Sequence, residues 1–427
     1  MNHQFELPGS YKKWTYGLIA AGILTLLLGI IFYHPFGAVP HHGEGGHGAV
    51  NSTRFWASLL QNSVFFLLMV NAAMFFICVT TMAMAGWVIA FRRVSEAISS
   101  MVPILGILTF LILMAIVFGG RTDIYHWLDP KLYVKGGPEY DAILDGKSGF
   151  LNPTFFTIWS FIAIFLWWLL GKKMRSMTLK SDKEGPMDYE KGKKFIWDST
   201  VYASLFCVVF GLTVASTIPW FWIMSIDSHW YSTMFSWYNF ASTFVSGISL
   251  IALYVIFLKN RGQLPYVTEE HLHDLGKFMF AFSIFWTYLW FSQYMLIWYS
   301  NQPEETKYFV QRIGTSRQSG PYYALFFINL ILNFLCPILI LMRKGTKRNW
   351  TMITFMAILI IVGHWVDYFQ MVMPGTVHGE WHIGLFELGV PCLFIGLIMW
   401  GVGSYLTKHS LLIKNHPFLK ESMIHHT

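Results

Sequence analysis

Ten stretches of apolar residues, each long enough to form a helix across a bilayer, are separated by short polar segments. They run over about 14–34, 56–91, 101–119, 153–171, 195–225, 235–258, 277–299, 321–342, 350–373 and 384–407. A hydrocarbon core of roughly 30 Å needs about 20 such residues. The period-two alternation of an outer-membrane barrel is absent. The pattern predicts an all-α, polytopic integral membrane protein, with residues 1–427 forming a single transmembrane domain. The second stretch is too long for a perpendicular helix, so it must tilt or project beyond the bilayer. The first follows Lys12 and Lys13, is longer than a signal-peptide core and shows no small-residue cleavage site, so it reads as a retained anchor. There is a hint of duplication four spans apart. The fifth span ends in "IDSHWYSTMF" and the ninth in "DYFQMVMPGTVHGEWHIG", each a short outer turn with adjacent His and Trp.

Composition agrees with the pattern. The chain is 55% hydrophobic and 12% charged, against about 25% charged for a soluble domain. Its net charge of +7 is no nucleic-acid signal, because the basic residues cluster between the spans. An even number of spans puts both termini on one side, which carries 22 of the 30 Lys and Arg residues; the other side carries 8. The positive-inside rule then predicts cytoplasmic termini in a bacterial inner membrane. On the outer side, the loop 34–52 holds His34, His41, His42 and His47. These could take a metal, but a loop with so little to fix their geometry is better read as covered by a partner. The outer loop 120–152 is longer. The inner segment 172–194 reads as a charged, solvated linker.

Cys78, Cys207, Cys336 and Cys392 all lie in apolar stretches without C-x-x-C spacing. They read as small buried side chains, not as ligands of iron–sulfur, zinc or covalent haem. Of the sixteen histidines only His364 lies well inside a span, which argues against bis-histidine haem and haem–copper chemistry. No redox cofactor or metal is expected in this chain.

The remaining signal is polar residues within or at the ends of spans. Asp198 lies near the inner start of the fifth span, with Asp227 and His229 at its outer end. Gln293 leads out to Glu304 and Glu305. Asn329 and Asn333 are four apart on the eighth span. His364 and Asp367 are three apart on the ninth, so they share a face. Glu380, His382 and Glu387 follow. A carboxylate at the bilayer centre costs about 2.5–3.5 kcal/mol, and less toward the interface. Asp367 lies roughly 9 Å outward of its helix centre at a 1.5 Å rise per residue, so it should face the bundle interior with His364 as its partner. Three roles compete: a polar clamp between helices, a proton path staggered from the outer face with Asp198 as its inner element, and a site for a quinone head group. A secondary transporter is disfavoured because no span is broken by paired Gly and Pro at mid-membrane.

The stretches "DSHWYSTMFSWYNFASTFVSG", "FSQYMLIWYSNQPEET" and "HWVDYFQMVMPG" resemble the NrfD/polysulfide-reductase-like membrane subunits. The similarity is greatest to the ActF type of bacterial alternative complex III, a quinol:cytochrome c oxidoreductase, and covers most of the chain. It rests on Gln293, Tyr294, Trp298, Tyr299, Asn301, Pro303, Glu304, Glu305, His364 and Asp367; related subunits often carry a charged residue at the position of His364. The resemblance implies two four-helix bundles with flanking helices. It also implies a cofactor-free subunit, not catalytic alone, that stabilises the complex and supplies proton half-channels. Quinone, iron–sulfur clusters and c-type haems would belong to partners: an ActC-like quinol subunit, an iron–sulfur protein and c-type cytochromes, with a terminal cytochrome oxidase as a further associate. The alternative is a quinol-binding subunit that takes part in catalysis.

Overall fold

The computed structural model describes residues 5–36, 47–315 and 317–426, with the backbone alone at 47–49. It is a helical membrane protein. In chain order the helices are α1 (Gly9–Tyr33), α2 (His47–Met82), α3 (Arg92–Ser99), α4 (Val102–Phe118), α5 (Ala142–Lys147), α6 (Pro153–Glu184), α7 (Tyr189–Leu212), α8 (Ile218–Trp222), α9 (Met234–Lys259), α10 (Glu269–Ser300), α11 (Pro303–Ile313), α12 (Tyr323–Leu330), α13 (Cys336–Leu341), α14 (Lys344–Arg348), α15 (Trp350–Thr376), α16 (Leu385–Lys408) and α17 (Leu419–Met423). Two-residue strands at Gly314–Thr315 and Gln318–Ser319 pair antiparallel.

Nine helical stretches among the described residues are long and apolar enough to cross a membrane. The uncharged part of α10, 278–299, is rich in Phe, Trp and Tyr. Hydropathy scales score these low although they suit the membrane interface. The helix packs along α9 and α13 as a span would.

Two rings of four organise the bundle. In the first, α2, α4, α6 and α7 pack in a closed cycle. In the second, α9, α10, α12–α13 and α15 do the same. Helix α2 joins them by touching α9 and α15, and α1 and α16 pair at the flank. The α1–α16 seam is made by small residues, as expected where no hydrophobic effect drives association. A Cβ on Gly22 would lie 2.5 Å from that of Leu393, and one on Gly389 would lie 2.2 Å from Thr25 Oγ1.

Three local expectations are corrected. The 56–91 stretch is not one helix. Helix α2 begins at His47 and stops at Met82, Met84 takes a left-handed φ of 53°, and a 3-10 turn at Gly86–Ala90 leads into α3. The over-long outer end of α2 is covered by this chain itself: Trp56 donates to the Pro35 carbonyl (2.9 Å) and Arg54 reaches Glu387.

The 172–194 segment is largely exposed, as expected, but it is mostly helix and not a linker. α6 runs on to Glu184 and α7 starts at Tyr189. Arg93, wholly buried, bonds Glu96 (2.6 Å) and Asp182, and Arg175 donates to the Ser99 carbonyl. A buried guanidinium needs such partners, and they fold the helix extension onto α3.

Two spans are also interrupted. A π turn at Thr213–Thr217 joins α7 to α8, and another at Ile331–Leu335 joins α12 to α13. Each is followed by a proline, Pro219 or Pro337. Proline lacks an N–H and clashes with the carbonyl four residues back, and the wider turn accommodates both.

Candidate functional site

The second ring is centred on Asp367, which is fully buried on α15. Each of the other three helices of the ring supplies one donor. The Tyr238 hydroxyl of α9 donates to Oδ1, Trp286 Nε1 of α10 donates to Oδ2 at 3.0 Å, and Asn329 Nδ2 of α12 donates to Oδ1 at 2.8 Å. Asn333, in the π turn, donates to Asn329 Oδ1 at 2.5 Å. The turn thus places two asparagines in series behind one carboxylate, a common use of π turns near polar sites.

His364 shares this face, but its nearest partner is not the one expected. Its Nδ1 lies 2.9 Å from Ser242 Oγ and 3.8 Å from Asp367 Oδ2, and Trp286 packs edge-on against its ring. Nε2 has no hydrogen-bond partner among the described residues.

On the α11 side of Asp367 lies a cavity of about 20 Å³, lined by Tyr238, Gln293, Tyr308, Arg312 and Gln370 among others. About 10–15 Å³ and two or more polar partners suffice for one water, so this cavity fits a single water. It is far below the 300–1,000 Å³ of small-molecule pockets and does not admit a quinone head group. Gln293 belongs to this wall, and its Nε2 is unpartnered among the described residues.

Arg312 closes the cavity from the last turn of α11. It is 3% exposed and donates twice to the Gln370 carbonyl (3.1 and 2.9 Å) and once to that of Tyr308 (2.6 Å). Its guanidinium stacks 3.4 Å from the centre of the Tyr308 ring. No carboxylate among the described residues is within ion-pair range of it, and its side chain and that of Asp367 both line the cavity. In the sequence, Arg312 is one of the eight Lys and Arg residues on the less basic side. The available signal was the amphipathic "PEETKYFVQRI", which puts Tyr308 and Arg312 on one face.

On the adjoining face of α11, Lys307 and Gln311 border a cleft of about 370 Å³ together with Asp123, His126, Asp227, His229 and His378. Asp227 lies 3.9 Å from Lys307. His229 bonds Asp141, at 2.5 Å. Burial raises the Asp141 carboxyl, but the Leu144 N–H, the His229 ring and the Ile143 N–H outweigh it and hold the group below its usual range. Lys147 donates to the Ser228 carbonyl (2.7 Å), and burial pushes its ammonium down.

The other expected residues fall elsewhere. Glu387 and His382 do not join Asp367. Glu387 bonds Arg54 Nη2 (2.5 Å) and the Gly384 N–H (2.9 Å), and His382 Nε2 meets Arg54 Nη1 at 2.8 Å. This trio ties the outer end of α2 to α16. Glu380 is exposed on the turn between α15 and α16. Asp198 is half-buried on α7, in the first ring.

Much of the motif "SQYMLIWYSNQPEET" is helix punctuation. Asn301 takes the left-handed conformation that ends α10, Pro303 opens α11, and Glu304 and Glu305 occupy its first turn. Trp298 and Tyr299 face outward. His41 and His42 lie outside the described residues, while His34 ends α1 and His47 begins α2. Among the described residues no cluster of three or more His, Cys, Asp and Glu could hold a metal.

Among the described residues, no fully buried carboxylate lies on the helices of the first ring. There, Trp167 donates to Thr213 Oγ1 (2.9 Å) and Trp159 to Thr217 Oγ1 (2.8 Å). No protein-family model matches the chain, and no curated protein matches it closely enough to count as a relative.

Proposed function

We propose that this chain is an integral membrane subunit of a quinol:electron-acceptor oxidoreductase of the alternative complex III type, and that its second ring handles protons at Asp367. The observation that carries the proton reading is the water-sized cavity lined by both Asp367 and Arg312, whose α11 residues Tyr308 and Arg312 directly follow Lys307 and Gln311 of the outer cleft. Lys307, Gln311, Tyr308 and Arg312 on α11 then form the outer entrance. The water bridges the cleft side to the carboxylate, and Tyr238 and Ser242 relay toward His364 within the ring. Iron–sulfur clusters, c-type haems and the quinol belong to partner subunits in this reading.

The decisive variant is Asp367→Asn in the purified complex. Proton release is expected to fall at least several-fold per electron while assembly and electron transfer persist. Loss of assembly first would make Asp367 a polar clamp instead. If the chain purifies without iron–sulfur and c-type cytochrome partners, the oxidoreductase assignment falls.

A second reading is favoured by the outer cleft, whose volume lies within the small-molecule range. It sits at the outer ends of the fifth and ninth spans, with three histidines and Asp227 around it, and offers space for a quinone head group that the inner cavity lacks. A quinone held there in the purified complex, and lost on Asp227→Asn, would move this chain to a quinol-binding role.

A further inference from the structure

The groove between the start of α1 and the end of α16 opens on the face that carries most of the Lys and Arg residues. It encloses about 600 Å³ and is unrelated to the Asp367 centre. Its base is Tyr11, whose hydroxyl is tied to the Met399 carbonyl (2.7 Å), and Thr15, whose hydroxyl donates to the Tyr11 carbonyl. The base is therefore satisfied and fixed.

The rim is different. Lys12, Ser404 and the Tyr16 hydroxyl supply donors, Glu6 supplies one carboxylate, and Trp400 supplies an aromatic wall. Trp14, Tyr16 and Trp400 are all well exposed at this end of the pair. Such aromatic residues collect at head-group level, so the groove sits where lipid phosphates lie. Basic pockets between helices on this side of a membrane bind lipid head groups.

The presence of both Lys12 and Glu6 narrows the ligand. A purely anionic head group would meet Lys12 but be repelled by Glu6. A head group with a phosphate and an ammonium satisfies both, with the ammonium also lying against the Trp400 ring. We infer that this groove binds one zwitterionic phospholipid with a primary ammonium head group, its phosphate on Lys12 and Ser404 and its ammonium between Glu6 and Trp400.

The test is native mass spectrometry of the full chain, freed of co-purified lipid in mild detergent and titrated with short-chain phosphatidylethanolamine, phosphatidylglycerol or glycerophosphoethanolamine. The ethanolamine lipid is expected to bind at least about five-fold more tightly than the glycerol lipid, and the acyl-free head group at least tenfold more weakly. Lys12→Ala should remove most of the affinity. Glu6→Gln should keep it while erasing the preference over phosphatidylglycerol; both positions lie at the exposed start of the chain, and size-exclusion profiles check that the variants stay folded. Equal binding of the two lipids to the wild type, or affinity unchanged by Lys12→Ala, overturns the inference. Acyl-free head group binding as tightly as the lipid overturns the lipid as its source.

Discussion

At the scale of single residues, the buried charges of Arg54, Arg93 and Glu387 each have a charged partner, and the partner decides what a substitution does. Arg54 and Glu387 are both nearly inaccessible. Arg54→Ala strands a buried carboxylate and should cost about 3–5 kcal/mol, read as a fall in the detergent unfolding midpoint. Adding Glu387→Gln should recover much of that loss, because the stranded charge is removed. Outside the membrane, burial and then the nearby Arg92 charge hold the His416 imidazole down at about 3. An unfolded chain would protonate it near its usual 6.5. Stability should therefore be full above pH 6.5 and fall as the pH drops toward 3, since only the unfolded chain takes up the proton in that window. Thermal melts from pH 7 to 4 should show His416→Asn flattening part of this slope. The His364–Asp367 face was legible from spacing alone. Arg312 was not, because the sequence cannot show that a short outer helix folds its last turn back into the ring.

At the scale of elements, the apolar runs located the spans, but their joints depended on contacts distant in sequence. Nothing between Val79 and Phe91 interrupts the hydrophobic run strongly, yet the chain turns at Met84. The cause lies beyond it: Arg92 and Arg93 are fixed by Glu96, Asp182 and the Ser410 carbonyl, so α3 must turn inward. The π turn at Ile331–Leu335 was likewise invisible in composition. It is braced by Gly363, where a Cβ would lie 2.2 Å from Asn333 Oδ1 and 3.0 Å from Leu332. Gly363→Ala should force Asn333 off Asn329 and cost about 1–3 kcal/mol through overpacking. Its midpoint should be restored largely by Asn333→Ser, which makes room. If Gly363→Ala melts like the wild type, the π turn does not depend on this contact.

At the scale of the whole molecule, the two rings follow the hint of duplication four spans apart, and they differ in content. One centre is filled by tryptophan and threonine, the other by a carboxylate. An arginine follows the third span and another the seventh: Arg121 bonds Asp123 (2.6 Å), whereas Arg312 lines the same cavity as Asp367. The same helical scaffold thus carries a direct ion pair on one side and, on the other, an arginine and a carboxyl group that share a cavity wall. The charge asymmetry of the loops makes a separate prediction. In a variant without its four native cysteines, a cysteine placed at Gly185 should react with an impermeant maleimide only from the cytoplasmic side, and one at Gly136 only from the opposite side. The reverse labelling would invert the topology read from the Lys and Arg counts.

The central position of α2 also has a consequence in time. Arg54 waits for a partner 333 residues further along the chain, and Asn62 waits for the Trp365 indole 303 residues on. At about 5–20 residues per second of synthesis, a span inserted among the first stands incomplete for roughly a quarter of a minute to a minute. During that interval Trp56 can hold the Pro35 carbonyl and Thr53 can reach Asp123, but the Arg54 guanidinium is left to water, lipid head groups or an insertion chaperone. Assembly of this protein is therefore a matter of timing as well as fit: its second helix meets α3 and α4 early, but its packing is completed only when α15 and α16 have been made.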